Sequence, residues 1–295
     1  MIDLKFKKLT LEDAKIFNDH FKKHPPLSSE LTFTNLYIWQ NYRQIEYALH
    51  DEGLIILATT SKEKYFLPPV GFRDKNKIIS SILEFGEKNN ITKSVKRADD
   101  NFINEIKDSG FQIKEDRDNF DYLYKTEDLA FLNGRNYSNK RGFVKKFFAE
   151  YYHKYYKFTN SEVCRKNCLE LTDKWFANRH ESDPTLSHEY EAIKEFLNNY
   201  EHFSSTGAVI YVEDQIVAYT FGEVLNKNTF VIHFEKALSN YSGIYQTINK
   251  LFAENELHGK YEFINREQDL GLPGLRKAKL SYLPVNYIKK YDITM

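Results

Sequence analysis

The feature that most constrains the fold is the order of patterns in the last quarter of the chain. A strand-like apolar run at residues 229–238 is followed by a polar turn that ends at Gly243. A helical pattern over 244–257 comes next, and a short apolar run at 261–264 follows it. Strand, glycine turn, helix and strand in this order build an anion site, because the first helical turn has free backbone N–H groups and a partial positive charge. The order therefore predicts a mixed α/β domain with an anion site at this turn.

The predicted anion site consists of Gly243 and the backbone amides of Ile244 and Tyr245. A glycine at this position lets a ligand approach the backbone closely, because it has no side chain. The alternative is a plain glycine turn that opens a helix. The sequence favours neither interpretation over the other.

Glu235 is the first candidate for a catalytic side chain. It lies late in the predicted central strand, where neighbouring strands diverge and a substrate can enter. We predict that it acts as a general base or as a ligand of an acceptor amine. Lys236 points to the opposite face, since side chains alternate along a strand. The alternative role of Glu235 is a salt bridge or hydrogen bond to its surroundings.

The segment that follows carries charges of both signs around a turn rich in glycine and proline. Its charged residues are Arg266, Glu267, Asp269, Arg276, Lys277 and Lys279. Neighbouring opposite charges pair, and an arginine left over would bind phosphate or carboxylate, because its guanidinium fork fits either. We predict that Arg276 and Lys277 bind the phosphate or carboxylate of a substrate that donates the transferred group. We predict that Arg266, Glu267 and Asp269 form a network that either binds the acceptor substrate or supports the structure. The alternative is an ion network that only braces the turn.

The composition is that of a soluble globular protein with room for two domains, at 295 residues, 41% hydrophobic and 28% charged. The 42 basic and 42 acidic residues cancel, so any binding of nucleic acid has to come from a local patch. No apolar run reaches the ~20 residues that cross a bilayer, and the N-terminus lacks the apolar core of a signal peptide. We therefore expect a cytoplasmic protein without a membrane span.

The two cysteines, Cys164 and Cys168, are four residues apart and share one face of a predicted helix. Without a nearby histidine or a second cysteine pair they make a poor zinc site. We expect buried structural thiols and no metal.

Segment 135–157 combines basic and aromatic residues. Its seven lysines and arginines accompany a single acid, Glu150, and eight tyrosines and phenylalanines lie between them. Such side chains hold phosphates and stack on bases, which predicts a contact with tRNA. The alternative is an ordinary helix, in which Phe143, Phe147 and Tyr151 face the core and the lysines are solvated.

The order of predicted elements occurs twice. Each half has a strand, two helices, three antiparallel strands, a helix and a strand, with hairpin signals at the expected turns. We place the domains at 1–134 and 135–295, with the predicted active site in the second. Residues 68–71 of the first half read Pro-Pro-Val-Gly, and proline lacks the N–H that would bind phosphate. The first domain is therefore predicted to be structural or to bind the acceptor.

Several motifs together carry a resemblance to a known family. They are Glu-Lys-Ala at 235–237, Gly-Ile-Tyr-Gln-x-Ile-Asn at 243–249, Asn-Arg-Glu-Gln-Asp-Leu-Gly at 265–271, Gly-Leu-Arg-Lys-Ala-Lys-Leu-Ser-Tyr-x-Pro at 274–284, and Asp-Asn-Phe-Asp-Tyr-Leu-Tyr at 118–124. On these residues the chain resembles the DUF2156 family, which is similar to the C-terminal catalytic part of phosphatidylglycerol lysyltransferases. The resemblance implies an α+β fold. It implies two tandem GNAT-like acyltransferase domains, each a mostly antiparallel central sheet flanked by helices.

The resemblance also implies a reaction. In GNAT acyl transfer an amine or hydroxyl attacks an activated carbonyl directly, aided by a base, an oxyanion donor and a phosphate clamp. The usual pyrophosphate loop, Gln/Arg-x-x-Gly-x-Gly/Ala, corresponds to 240–245, where Tyr245 replaces the small last residue. We therefore expect an aminoacyl-tRNA or another phosphate-bearing donor rather than acetyl-CoA, an unknown acceptor and no certain cofactor. The alternatives are a non-catalytic ligand-binding protein on an acyltransferase scaffold and an acyl-CoA N-acyltransferase.

Overall fold

The computed structural model describes residues 2–51, 53–106, 110–177 and 184–295. The chain divides into two compact units. The first unit comprises Met1–Asp121, Gln268–Arg276 and Tyr287–Met295, and the second comprises Tyr122–Glu267 and Lys277–Asn286. This division differs from the predicted boundary between 134 and 135, because the chain enters the second unit at Tyr122 and returns twice to the first.

The elements are mixed strands and helices. The strands are β1 (Lys7–Lys8), β2 (Gln44–His50), β3 (Gly53–Thr59), β4 (Lys64–Phe66), β5 (Ser94–Asp99), β6 (Gln112–Glu115), β7 (Asp121–Lys125), β8 (His153–Lys157), β9 (Ser205–Val212), β10 (Gln215–Asn226), β11 (Thr229–Ala237), β12 (Phe263–Asn265), β13 (Asn286–Ile288) and β14 (Lys290–Thr294). The helices are α1 (Ala14–Lys23), α2 (Phe33–Ile38), α3 (Lys75–Lys88), α4 (Asp100–Ile106), α5 (Thr126–Phe131), α6 (Ser138–Glu150), α7 (Glu162–Ala177), α8 (Pro184–Asn198), α9 (Ile244–Phe252) and α10 (Pro273–Leu280). Helix α9 continues as a π-helical segment, Ala253–Leu257.

The first unit contains a sheet in the order β1-β2-β3-β4-β5-β14-β6. Its pairs are antiparallel except for the parallel pair β4 and β5. Helix α3 packs on this sheet because its apolar residues recur at helical spacing. Ile79, Ile82 and Leu83 are buried in one core cluster with Val95 of β5. Strand β14 lies between β5 and β6, so a strand from the far end of the sequence occupies an interior position of the sheet.

The second unit contains strands in the order β7-β12-β11-β10-β9-β8. They pair antiparallel, apart from the parallel pair β11 and β12. That pairing runs only from Thr229 with Phe263 to Val231 with Asn265. Strand β11 continues to Ala237 beyond the last of these pairs, and within the described ranges no strand pairs with its later half on this side. Glu235 therefore lies beyond the end of the β11–β12 pairing.

A β-bulge occurs in the same part of β11. Phe221 of β10 pairs with Phe234, and the next residue of β10, Gly222, pairs with Ile232. His233 is therefore the extra residue, and a bulge of this kind changes the direction of a side chain. The bulge places a polar residue just beyond the end of the β11–β12 pairing.

Many predicted elements are confirmed, including the hairpin strands β9 to β11 and helix α9. Two predictions are wrong. The strand predicted to open the first half is limited to Lys7–Lys8. The turn expected around Pro273 is the first turn of α10, because a proline at the first helical position loses no hydrogen bond.

The two cysteines are buried free thiols on α7, as predicted. Within the described ranges, no group of three or more His, Cys, Asp and Glu side chains could hold a metal ion. Among the helices of the same ranges, none combines the length and apolar character that crossing a bilayer requires.

Candidate active site

The candidate site lies in the second unit, where β11 continues beyond its pairing with β12. Glu235 accepts hydrogen bonds on both carboxylate oxygens. Oε1 lies 3.0 Å from Nη2 of Arg266, which follows directly after β12, and Oε2 lies 3.2 Å from Nδ2 of Asn249 on α9. The carboxylate is thereby held between three elements with its side chain only 11% exposed. A carboxylate fixed in this way can accept a proton from a bound nucleophile.

Two tyrosine rings surround the Arg266 guanidinium. Its central carbon lies 5.0 Å from the ring centroid of Tyr282 and 5.8 Å from that of Tyr124. Burial lowers the pKa of Arg266, but Glu235, Tyr124 and Tyr282 together outweigh it, so the pKa is raised. Arg266 is therefore a permanent cation that holds one oxygen of Glu235.

Lys140 of α6 is a second cation in contact with Tyr282. Its Nζ lies 4.0 Å from the Tyr282 ring centroid and donates a hydrogen bond of 2.6 Å to Oγ of Ser281. Burial and the charge of Arg266 both lower the pKa of Lys140. The repulsion shows that two positive groups share this part of the unit.

His233 joins two carboxylates beside this cluster. Its Nε2 lies 2.8 Å from Oε1 of Glu223, and its Nδ1 lies 2.8 Å from Oε1 of Glu267. Burial alone would lower the pKa of His233, but the hydrogen bonds to Glu223 and Glu267 outweigh it and raise the pKa to about 9. Because both ring nitrogens face carboxylates, both carry protons at neutral pH. The buried imidazolium ties β10, β11 and the segment after β12 together.

Lys279 also holds the segment after β12 in place. Its Nζ donates to the backbone carbonyl oxygens of Arg266 and Glu267. Glu267 has a positive φ of 55°, which is uncommon for a residue with a side chain. These contacts, with His233, fix a strained backbone turn so that Arg266 meets Glu235.

Other groups of the protein pack against the predicted anion cradle. Gly243 has φ 86°, and a Cβ there would overlap the carbonyl oxygen of Phe143 in α6. The amide of Ile244 donates to the carbonyl of Tyr241 at 3.2 Å. The hydroxyl of Tyr245 accepts from Nε1 of Trp175 at 2.6 Å. This geometry is that of a glycine turn packed against a helix, and donor binding by these three residues stays a prediction.

The predicted charged network divides into two sets that belong to different units. Arg266 and Glu267 belong to the second unit and to the site just described. Asp269 belongs to the first unit and is fully buried. Its carboxylate accepts from Nε of Arg276 at 2.9 Å and from Nη2 at 2.8 Å. The division between the two units therefore falls between Glu267 and Asp269.

The remaining hydrogen bonds of Arg276 are also structural. Its Nη2 lies 2.8 Å from Oδ1 of Asp118, and Asp269 receives the amide of Gly271 at 2.8 Å. These hydrogen bonds raise the pKa of Arg276. The arrangement is an ion network that braces the turn before α10. Lys277 is exposed and makes no contact with an acid within the described ranges.

Sequence reasoning missed His233 and Glu223 and treated Asn249 as an ordinary polar helix residue. One signal for His233 was available, because it lies two positions before Glu235 and residues i and i+2 of a strand share a face. The partners of Asn249 could not be read from the sequence, because its contact with Glu235 depends on how α9 packs on the sheet.

The fold is similar to that of proteins with a GNAT-like fold. A tandem GNAT protein from the clavulanic acid biosynthesis pathway has a similar structure, with a TM-score of 0.52 and 9% identity over 98% of each chain. At this identity the likeness concerns the fold alone.

The chain belongs to the family described as "Phosphatidylglycerol lysyltransferase, C-terminal", whose model matches residues 21–294. A conserved protein of unknown function from Bacteroides thetaiotaomicron is 31% identical over 99% of this chain and 100% of that chain, with a TM-score of 0.91. The structure of L-PGS from Bacillus licheniformis covers 96% of this chain and 91% of that chain at 14% identity, with a TM-score of 0.68.

An uncharacterized protein of Mycoplasmoides gallisepticum is 28% identical over 176 residues. The match covers 58% of this chain and 54% of that protein, so it spans about half the length of this curated relative.

Proposed function

We propose that the chain is an aminoacyl-type acyltransferase built from two tandem GNAT-like domains. It transfers an acyl group from a phosphate-bearing donor, aminoacyl-tRNA, to an amine or hydroxyl acceptor. The observation that carries the proposal is the position of Glu235, whose carboxylate is held by Arg266 and Asn249 beyond the end of the parallel pairing of β11 with β12. This position supports a base that meets the acceptor inside the unit.

The proposed reaction assigns a role to each group of the site. The acceptor nitrogen or oxygen attacks the ester carbonyl carbon of the donor and forms the new bond. Its proton passes to Glu235, the ester C–O bond breaks, and a proton returns to the leaving ribose oxygen. Arg266 keeps the carboxylate in place, and His233 with Lys279 keeps Arg266 in place.

The surface of segment 135–157 supports tRNA as the donor carrier. Phe147 is buried, but Phe143 and Phe148 are 46% and 44% exposed and Tyr152 is 80% exposed. The sequence interpretation that buries Phe143 is wrong, because Val144 faces the core instead. Exposed rings next to exposed lysines can stack on bases and bind phosphates. Lys277 is proposed to add a further positive charge for the donor.

A second candidate is a non-catalytic ligand-binding protein on the same scaffold. The observation that favours it is the filled glycine turn, in which Phe143 takes the space next to Gly243 and the Ile244 amide is already bonded. The same observation argues against an acyl-CoA donor whose pyrophosphate would bind at this turn.

The test compares the wild-type protein with Glu235→Gln. Purified protein is incubated with tRNA charged with one radiolabelled amino acid at a time, or with radiolabelled acetyl-CoA, and with small molecules of a cell extract as acceptors. We expect the wild-type protein to consume the aminoacyl ester of the charged tRNA. Glu235→Gln should slow this consumption at least about 100-fold, since a general base contributes 10²–10⁴-fold. The control Glu262→Gln alters an exposed acid outside the site and leaves the rate unchanged.

The possible results separate the candidates. Consumption of acetyl-CoA instead of aminoacyl-tRNA supports the acyl-CoA transferase. Binding of aminoacyl-tRNA without consumption supports the non-catalytic protein. Equal rates for the wild type and Glu235→Gln contradict the role of Glu235.

A further inference from the structure

A cavity of about 190 Å³ lies between helix α7 and the turn that joins β9 to β10. It has room for about six water molecules at ~30 Å³ each. Its lining comes from residues 167–174 of α7 and from residues 214–216. None of these residues belongs to the candidate active site, so this α7 cavity is a separate feature of the second unit.

Three charged side chains of both signs line the α7 cavity. They are the carboxylates of Glu170 and Asp214 and the ammonium group of Lys174. Within the part of the chain that the structure describes, none of the three forms an ion pair. Opposite charges therefore surround one small space without neutralising each other.

The separation of Glu170 from Lys174 is unusual for their positions on α7. An acid four residues before a lysine is the favourable arrangement for a salt bridge along a helix. Elsewhere in this chain even the less favourable order makes the contact, as Lys146 and Glu150 of α6 do at 3.7 Å. Glu170 and Lys174 both line the cavity instead of meeting each other.

The rest of the lining has an apolar base and two amide side chains. Leu171 and Ile216 are 1% and 2% exposed and form the base. The half-buried amides of Asn167 and Gln215 also line the cavity, and each amide can both donate and accept hydrogen bonds. A ligand with a small apolar part and a polar, charged part would contact both kinds of surface.

Volume and charge together limit the ligand. The cavity is smaller than the roughly 300 Å³ at which pockets for drug-sized ligands begin, so a nucleotide is too large for it. It suits a molecule of about six non-hydrogen atoms, the size of L-alanine. Water hydrates the separated charges but neutralises none of them, whereas a molecule with an ammonium group and a carboxylate neutralises charges of both signs.

We propose that the α7 cavity binds a small α-amino acid in its zwitterionic form. The ammonium group of the ligand pairs with Glu170 and Asp214, its carboxylate pairs with Lys174, and its side chain contacts the apolar base. This inference adds a second site to the molecule and does not rest on the proposed function.

The experiment measures binding to the ¹⁵N-labelled full chain by NMR at constant ionic strength. The probes are L-alanine, ethylamine, which lacks the carboxylate, and propionate, which lacks the ammonium group. The readout is the backbone amide signals of residues 170–174 and 214–216. We expect saturable shifts, with L-alanine binding more tightly than ethylamine and ethylamine more tightly than propionate, because the lining has two acids and one base.

Two variants test the assignment of each charge. Lys174→Gln should weaken L-alanine about three- to tenfold without weakening ethylamine, since a charge pair that stays partly in water is worth this much. Glu170→Gln combined with Asp214→Asn should weaken L-alanine and ethylamine without weakening propionate. The matched controls Lys166→Gln and Glu162→Gln alter exposed residues of α7 outside the lining and should keep wild-type binding.

Three results would overturn the proposed amino acid site. These are no saturable shift from L-alanine up to its solubility limit, equal affinities for the three probes, and equal behaviour of Lys174→Gln and Lys166→Gln. None of them bears on whether aminoacyl-tRNA is consumed. Failure of this inference is therefore distinct from failure of the proposed function.

Discussion

At the scale of single residues, His233 is the group whose behaviour the structure fixes most closely. Its ring is 1% exposed and lies between two carboxylates at 2.8 Å, those of Glu223 and Glu267. A buried ion pair is costly unless its geometry and hydrogen bonds are good, and here both ring nitrogens are satisfied. The imidazolium is thus part of the folded structure at neutral pH.

This arrangement predicts a pH-dependent stability. The pKa of His233 is about 9 in the folded protein against an ordinary value of 6.5, so its stabilisation is complete below about 6.5 and is lost as the pH rises through 9. The loss is on the order of 3 kcal/mol over that window. Urea unfolding at intervals between pH 6 and pH 10 measures it.

The matched control for this prediction is an exposed histidine. His233→Gln should remove most of the decline between pH 6.5 and 9, whereas His202→Gln should keep it, because His202 is exposed. A wild-type protein whose unfolding free energy is flat across this window would show that His233 is not a buried imidazolium.

At the scale of elements, the contact between α6 and the start of α9 decides how the second unit packs. Gly243 adopts φ 86°, a backbone conformation that favours glycine, and its missing side chain makes room for the Phe143 carbonyl. The glycine thus serves the packing of two helices.

Replacing this glycine should disrupt that packing. We expect Gly243→Ala to lower the free energy of unfolding by about 1–3 kcal/mol, because the Cβ meets backbone and the φ is strained. Gly142→Ala lies in the middle of α6, where a Cβ would meet nothing within 4 Å, and should stabilise the protein by about 0.5–1 kcal/mol. Urea or thermal unfolding compares the two variants. Equal effects would show that α6 does not pack closely on Gly243.

The sequence predicted those elements whose signals are local. Strands β9, β10 and β11 follow from apolar runs separated by hairpin turns, and α9 follows from apolar residues at helical spacing after Gly243. Helix α10 was missed because its residues are mostly exposed and give no apolar period. Glu235 and Arg266 were predicted to be polar groups of a site. Their contact with each other and with Asn249 depends on where the β11–β12 pairing ends and on how α9 packs on the sheet. No local sequence pattern encodes either feature.

At the scale of the whole molecule, the most consequential feature is the position of β14 inside the sheet of the first unit. Lys290 at its start is fully buried and pairs with the carboxylates of Glu30 and Asp121. Burial would raise the pKa of Glu30, but the charges of Lys290 and Arg97 outweigh it and lower the pKa to about 2. This strand was not predicted, because its partners β5 and β6 lie far away in sequence.

Removing the buried charge of Lys290 should strongly destabilise the folded protein. We expect Lys290→Met to lower the free energy of unfolding by about 3–5 kcal/mol, because it removes the buried cation that Glu30 and Asp121 share. Lys289→Met alters the exposed neighbour and should change stability by no more than about 0.5 kcal/mol. Chemical denaturation of both variants provides the comparison. Similar midpoints for the two would contradict a buried ion network at the start of β14.

The interior position of β14 also determines the order in which the two units can fold during translation. Strands β5 and β6 emerge early, yet the strand between them is translated only after the entire segment Tyr122–Glu267. Until then the sheet of the first unit lacks the strand that joins β5 to β6, whereas the second unit already has strands β7 to β12. Newly made chains should therefore acquire protease resistance first in the second unit, and the N-terminal residues should stay dependent on chaperones until translation has passed β14.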